Sequence, residues 1–216
     1  INRFTGTLPT TMGNMSYLFI LYVYSNSLTG SIPQEIGLLN YLVYLDLYDN
    51  SLTGGLPNSI GNMTSLACWT MNNNYMTGSI PSSIGYLTNL QSLYLGSNRL
   101  TGSLPASLCK LTNLIVLDLS VNKLSQAVPT TFQSLSRIEE LYLTNNRLTG
   151  QLSSFINMTS WKQLVNFDVS NNFITGSLPS DSFLSSSKLH IFAATDNCIE
   201  VMIPSAFCLA ENLKIL

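Results

Sequence analysis

Charge is what this sequence has least of. Lys, Arg, Asp and Glu make up 9% of its 216 residues, against roughly a quarter in an ordinary soluble domain. Nine Lys and Arg, scattered along the chain, and eleven Asp and Glu leave a formal net charge of −2. Phosphate binding needs clustered cations, so nucleic acid is excluded as a partner. Histidine occurs once, at His190, beside Leu189 and without a carboxylate and nucleophile in any recognisable spacing. There is no metal-ligand cluster and no phosphate-cradling loop, so no metal, no cofactor and no catalytic centre is expected. Hydrophobic residues reach 45%, yet no apolar run approaches the ~18 residues of a membrane span. Ser, Thr, Asn and Tyr must cover the surface instead, a covering that suits an extracellular protein, glycosylated or embedded in a matrix.

What the chain does have is a period. Asn2, Asn26, Asn50, Asn74, Asn98, Asn122 and Asn146 stand 24 residues apart, followed by Asn172 and Asn197 at steps of 26 and 25. A fixed period of this length is the signature of stacked repeats rather than of one globular core. In the fullest copies Leu90, Leu93, Leu95 and Asn98 are followed by Leu100-Thr101-Gly102 and Leu104-Pro105, and Leu114, Leu117, Leu119, Asn122 and Leu124 begin the next copy. The Leu-x-Leu step has strand periodicity, so both leucines point to one face. A single short strand cannot bury that face, and stacking the copies buries it while pairing the backbone. Each asparagine carries two donors and an acceptor. Placed where the chain turns inward, it is expected to bond the backbone of its own and the neighbouring coil, a polar spine rather than a ligand site.

The pattern resembles the leucine-rich repeat family, and its plant-type subclass in particular. The residues that carry the resemblance follow the asparagines: Leu28-Thr29-Gly30-Ser31-Ile32-Pro33, Met76-Thr77-Gly78-Ser79-Ile80-Pro81 and Leu148-Thr149-Gly150. It spans essentially the whole chain. It implies an α/β solenoid: a right-handed superhelix with a concave parallel β-sheet, short second strands on the flank and 3-10 or helical turns on the convex side. Residues 1–216 are expected to form one domain of about nine repeats. They begin and end mid-repeat without caps, as a fragment of a longer protein would. Thr5, Thr29, Thr53, Thr77, Thr101, Thr149 and Thr175 form one column with Ser125 in the gap, and branched residues of this kind are expected to stack in register along the flank.

Three Asn-x-Ser/Thr acceptors start at Asn14, Asn62 and Asn157, at corresponding outer-turn positions where a glycan clears the core. Cys109 and Cys208 share a column but lie four coils apart, near 19 Å at ~4.8 Å per coil, too far to bridge. Cys68, on the strand side, and Cys109, on the outer turn, read as free thiols. Cys198 and Cys208 sit in one repeat, where either a disulfide or two thiols fit. The segment from Phe192 to Cys208 also resembles late repeats of surface leucine-rich proteins of single-celled eukaryotes, in which two such cysteines occur together. A bridge there favours an oxidising compartment.

Departures from the pattern are where specific features are sought. Ser153 stands where a proline is due, and two extra residues fall between Asn157 and Gln163, including Trp161. The insertion is expected to bulge on the outer face or rim, with Trp161 tucked over the widened coil rather than exposed. Trp69 and Met71 take strand leucine positions and read as core. Gln126 replaces a flank glycine, and Glu200 and Val201 replace Thr-Gly where the flank strand ends or changes.

Residues alternating with the strand leucines face the concave side. Two features emerge there: tyrosines toward the amino-terminal end (Tyr22, Tyr24, Tyr44, Tyr48), joined by Tyr94 and Tyr142, and acids across the middle (Asp46, Asp118, Glu140, Asp168) with no concave Lys or Arg. Tyrosine gives rigid contact area with a hydrogen-bonding tip. The combination suits a peptide with a basic residue, or a carbohydrate stacked on tyrosine and bonded to carboxylates. The plainer alternative is a tyrosine ladder that only stabilises the sheet. Asp118 and Glu140, on neighbouring coils, have the residue types of a catalytic carboxylate pair. An open sheet offers no pocket to shift their protonation, so no enzyme is expected.

The resemblance implies the recognition ectodomain of a cell-surface receptor or receptor-like protein, with a protein, peptide or glycan partner and a membrane anchor outside these residues. The alternatives are a self-associating structural protein of a cell wall or filament, a secreted inhibitor of wall-degrading enzymes, and an ice-binding protein that uses the threonine column.

Overall fold

A computed structural model describes residues 2–178, 188–200, 203–204, 207 and 212–215. Three-residue strands recur once per coil: Ile20–Tyr22, Tyr44–Asp46, Cys68–Thr70, Ser92–Tyr94, Val116–Asp118, Glu140–Tyr142, Asn166–Asp168 and Ile191–Ala193. They form one eight-stranded parallel sheet in which each strand pairs with the next coil's strand. The register has no offset: Leu45 lies opposite Trp69, Trp69 opposite Leu93, and Leu141 opposite Phe167. Corresponding side chains therefore stack. The inward pairs Leu45/Leu47, Trp69/Met71, Leu93/Leu95, Leu117/Leu119, Leu141/Leu143 and Phe167/Val169 are buried. Trp69 and Met71 take core positions as expected, although the Trp69 indole Nε1 finds no acceptor.

The convex side is built from short 3-10 turns, Thr10–Asn14, Gln34–Leu38, Asn58–Asn62, Ser82–Tyr86, Ala106–Lys110 and Thr130–Ser134. Each follows a proline (Pro9, Pro33, Pro57, Pro81, Pro105, Pro129) that ends the extended flank and enters the turn. The next coil lacks that proline, and a turn of α-helix, Leu152–Phe155, takes the place of the 3-10 turn. The two extra residues are absorbed here, on the outer side. Trp161 is fully buried, tilted against Phe167 with ring centroids 6.3 Å apart.

The asparagine column forms the expected spine. Asn74 is typical: its Oδ1 accepts from the Leu52 N–H of the previous coil at 3.0 Å. Its Nδ2 donates to the Leu47 carbonyl of that coil and to Met71 and Asn72 of its own. The same set repeats at Asn50, Asn98, Asn122, Asn146, Asn172 and Asn197.

One residue earlier the backbone turns left-handed in every coil from Ser25 to Asp196, with φ between 49° and 57°. Ser, Asp and Asn tolerate this well, but Val121 (φ 52°) is β-branched and pays for the same turn in strain. Val121→Asn is expected to stabilise the chain by about 1 kcal/mol, raising the thermal midpoint by about 3 °C. Calorimetry showing no rise would mean the valine is held there without cost.

The flank departs from expectation. Its strands do pair in parallel, in sets such as Thr5–Thr7/Ser27–Ser31/Ser51–Thr53 and Thr101–Gly102/Lys123–Ala127/Arg147–Thr149. Yet each steps two residues along its predecessor: Thr29 lies opposite Ser51, Thr101 opposite Lys123 and Ser125 opposite Arg147. The threonines are not stacked in register. The cause lies in the hydrogen bonding: Thr77, Thr101 and Thr175 N–H groups reach the carbonyls of Gly54, Gly78 and Gly150 rather than positions level with themselves. Those glycines hold φ of 78°, 74° and 102°, a bend the Cβ of other residues resists. Gln126 adopts φ 72° in their place. The flank strand of the last described coil, Cys198–Ile199, stops before Glu200; Val201 lies outside the described residues.

Candidate functional site

Stacking without offset turns the concave residues into rows running across the coils. One row reads Tyr22, Asp46, Thr70, Tyr94, Asp118, Tyr142, Asp168, Ala193, neighbours lying opposite one another. The rows on either side carry Tyr44, Cys68, Ser92 and Glu140, and Tyr24, Tyr48, Asn72, Gly96 and Ser120. No Lys or Arg occupies any of these rows.

The tyrosine end is open to solvent: Tyr22 is 54% exposed, and Tyr24, Tyr44 and Tyr48 are also exposed. Tyr22 and Tyr24 meet edge to face at 6.4 Å. Neighbours not singled out from the sequence widen the patch. Phe19 packs edge-on against Tyr44 at 6.2 Å, and Tyr17 stacks on Tyr41 at 5.8 Å. Their signal was present as the same 24-residue spacing, Tyr17 to Tyr41, on the columns leading into the strand.

The acids have a local task that the sequence reading did not assign them. Asp46, Asp118 and Asp168 each turn Oδ1 to accept the N–H two residues on, from Tyr48, Ser120 and Ser170, at 3.0, 2.9 and 2.8 Å. These are Asx turns that close the strand exit. Asp118 is held further: Ser120 Oγ donates to its Oδ1 at 2.6 Å, and Asn72 Nδ2 donates to its Oδ2 at 2.9 Å from two coils away. That long reach passes over Gly96. A Cβ on Gly96 would lie 2.8 Å and 2.9 Å from the two Asp118 oxygens and 2.9 Å from Ser120 Oγ. The glycine is the space the carboxylate occupies. Asp118 is thus a fixed, half-buried carboxylate held by neutral donors, with Tyr94 and Tyr142 on the strands to either side.

Burial first, and the carboxylates of these rows after it, raise the neighbouring phenols and thiol. Partial burial, then the Glu140 carboxylate, push the Tyr142 phenol up to about 12, with Asn166 hydrogen-bonding it in opposition. Burial and then Glu140, Cys68 and Asp118 raise Tyr94. Burial, and Asp46 after it, raise the Cys68 thiol, so Cys68 is a poor nucleophile at neutral pH.

Of the other residues singled out, Asn14 and Asn62 end outer turns and are exposed. Asn157 is half-buried, and its Oδ1 accepts from Thr159 Oγ1 and Ser160 N–H. Cys68 and Cys109 are free thiols, and so is the exposed Cys198. Cys208, the other half of the expected bridge, lies outside the described residues. His190 is half-buried at a strand entry, its N–H bonded to the Val165 carbonyl. Among the described residues no helix is long and apolar enough to cross a membrane.

Two models named leucine rich repeat match the sequence, over residues 88–148 and 41–63. No curated protein sequence matches the chain significantly. Among solved structures it is similar to the ectodomain of the Arabidopsis thaliana membrane receptor kinase GASSHO1/SCHENGEN3 in complex with CASPARIAN STRIP INTEGRITY FACTOR 2, with 38% identity and a TM-score of 0.92 over 99% of this chain and 26% of that one. It is similar also to the Arabidopsis receptor kinase HAESA in complex with the peptide hormone IDA and the co-receptor SERK1, with 32% identity and a TM-score of 0.93 over 100% of this chain and 36% of that one. A plant ice-binding protein matches at 28% identity and a TM-score of 0.72, over 98% of this chain and 76% of its own. The chain belongs to the leucine-rich repeat family, in its plant-type form, and its fold is that of plant receptor ectodomains. It spans 26% to 36% of the length of the two receptor ectodomains named.

Proposed function

We propose that these coils are an extracellular, receptor-like recognition module that binds an extended peptide carrying a basic residue on the concave face, and that they catalyse nothing. One observation carries the reading. Asp118 is preorganised by Asn72 and Ser120 above Gly96, between two tyrosines, on a face without a cation. A carboxylate already held in place spends little ordering entropy when a guanidinium or ammonium arrives. The exposed rings of Tyr22, Tyr24, Tyr44 and Tyr48 supply rigid contact area for an apolar part of the same ligand. The similarity to receptor ectodomains solved with a peptide hormone supports the same class of partner.

The test is titration calorimetry against a panel of extended peptides, each with one Arg at a different distance from an aromatic residue. Asp118→Asn keeps the side chain's shape and removes its charge. It is expected to weaken the best binder by at least about tenfold, the scale of a charged hydrogen bond. Undiminished binding, or equal binding of the Arg-to-Gln peptide, overturns the reading. The similarity to an ice-binding protein gains little from the threonine column. Its two-residue offset per coil sets successive hydroxyls on a diagonal instead of side by side.

A further inference from the structure

The low net charge conceals a segregation. Asp46, Asp118, Glu140 and Asp168 lie on the concave side of the asparagine spine. On its other side Arg99, Lys123 and Arg147 each follow an asparagine and are exposed on three successive coils, Lys123 and Arg147 opening their flank strands and Arg99 lying two residues before the strand Thr101–Gly102. The 24-residue spacing puts these cations in one column of the repeat, and the two-residue flank offset sets them on a diagonal. They are therefore not scattered, as the sequence first suggested. No acid occupies residues 75–79, 99–103, 123–127, 147–151 or 173–177, the flank of five coils. None of the three forms an ion pair among the described residues. Arg99 instead lies over the Tyr75 ring, 4.5 Å from its centroid.

The flank register gives Lys123 and Arg147 a hydroxyl neighbour from the coil before, Thr101 and Ser125, and the Arg99 N–H bonds the Met76 carbonyl, next in sequence to Thr77. The row is finite. It begins at the exposed Tyr75 and ends at Phe173, 56% exposed, both in the cation column.

We propose that this flank is a second docking surface, for an extended acidic segment of a partner protein. A strand spacing of ~4.8 Å and a two-residue offset of ~6.6 Å place successive cation positions about 8 Å apart on a diagonal. An extended chain presents alternate side chains on one face every ~6.7 Å, and the flexible Lys and Arg stems absorb the difference. A segment with acids at every second residue thus meets three cations in sequence, Lys123 and Arg147 each beside a hydroxyl donor. The aromatic residues closing the row favour a discrete segment with apolar ends over a long uniform polyanion, which would have no use for a stop. The surface is exposed, so its ion pairs are individually weak and screened by salt.

The concave reading is not needed for this one, and the experiment keeps the two apart. A fluorescein-labelled peptide with Asp at every second residue and Leu at either end is titrated with the full chain, followed by anisotropy at low and moderate salt. Binding is expected to weaken about tenfold in the Arg99→Gln, Lys123→Gln, Arg147→Gln triple variant. It is expected to weaken with salt, and again for a peptide of the same composition with its Asp residues contiguous. The triple variant's thermal midpoint and its affinity for the concave probe are expected to be unchanged. Three results overturn the proposal: equal binding by the triple variant, equal binding of the contiguous peptide, or an oligouronate that displaces the peptide at lower carboxylate concentration through the same three residues.

Discussion

The Asn74→Ala chain is expected to melt roughly 10 °C below the unaltered protein. Asn74 is 4% exposed and makes four backbone hydrogen bonds, one accepted from Leu52 and three donated to Leu47, Met71 and Asn72. Alanine strands the Leu52 N–H and the deeper carbonyls in a sheath of leucines. Each buried orphan costs about 1–3 kcal/mol, and after partial rescue by water the sum is about 3 kcal/mol. For a domain of this size each kcal/mol moves the midpoint by about 2–4 °C. Apart from the Asn72–Asp118 bridge each coil packs on its immediate neighbours, so the damage is local at first. Amide exchange is expected to accelerate around Leu47, Leu52 and Met71 well before it does around Leu141. The same change at the half-buried Asn26 is expected to cost less. A midpoint within about 2 °C of the parent, by circular dichroism, would mean that water fills the asparagine's place and that the spine is not a structural requirement.

The spine was legible because its chemistry is local: an asparagine at a fixed step after Leu-x-Leu has one plausible set of partners, and it has them. The burial of Trp69, Met71 and Trp161 was legible for a related reason, since each occupies or adjoins a column already committed to the core. The concave rows followed from strand alternation and stand as read, with Tyr22 and Tyr44 open to solvent and Asp118 half-buried at the surface. The flank register was not legible. A Leu-Thr-Gly column looks the same whether successive threonines stand level or are offset by two, and only the hydrogen bonds from Thr77 and Thr101 to the preceding glycine carbonyls decide it. Nor does spacing reveal that Asp46, Asp118 and Asp168 bond their own strand exits, because an Asx turn depends on a side-chain rotamer. The bridge from Asn72 to Asp118 spans two coils and exists only because Gly96 has no side chain. Nothing in the sequence singles out Gly96 among the concave residues. In the fold it is what fixes the row's central carboxylate.

The outer turns hold a second test of the same kind, with glycine again deciding how closely two coils approach. Gly61→Ala is expected to cost about 2 kcal/mol and lower the midpoint by about 6 °C. A Cβ there would sit 2.5 Å from the Ser83 carbonyl oxygen, 2.9 Å from its Cβ and 3.1 Å from its carbonyl carbon. Two of those three atoms are backbone, so no rotamer change relieves the clash and the turns must part. Parting them also stretches the 2.7 Å bond from Ser83 Oγ to the Asn58 carbonyl. Gly13 and Gly85 face their neighbours in the same way, as does Gly37 against Ser59. The series of glycines ends at Cys109, where a different bond, Ser134 Oγ to the Cys109 carbonyl, ties the turns together. Gly55→Ala serves as the control. Its nearest neighbour is the Thr77 carbonyl at 3.8 Å, an ordinary contact, so alanine there is expected to be neutral or to stabilise by about 0.5 kcal/mol through the unfolded chain. Equal midpoints for the two variants would show that the outer turns give way freely, and that the close approach of the coils is a consequence of the concave sheet and the spine rather than of the glycines.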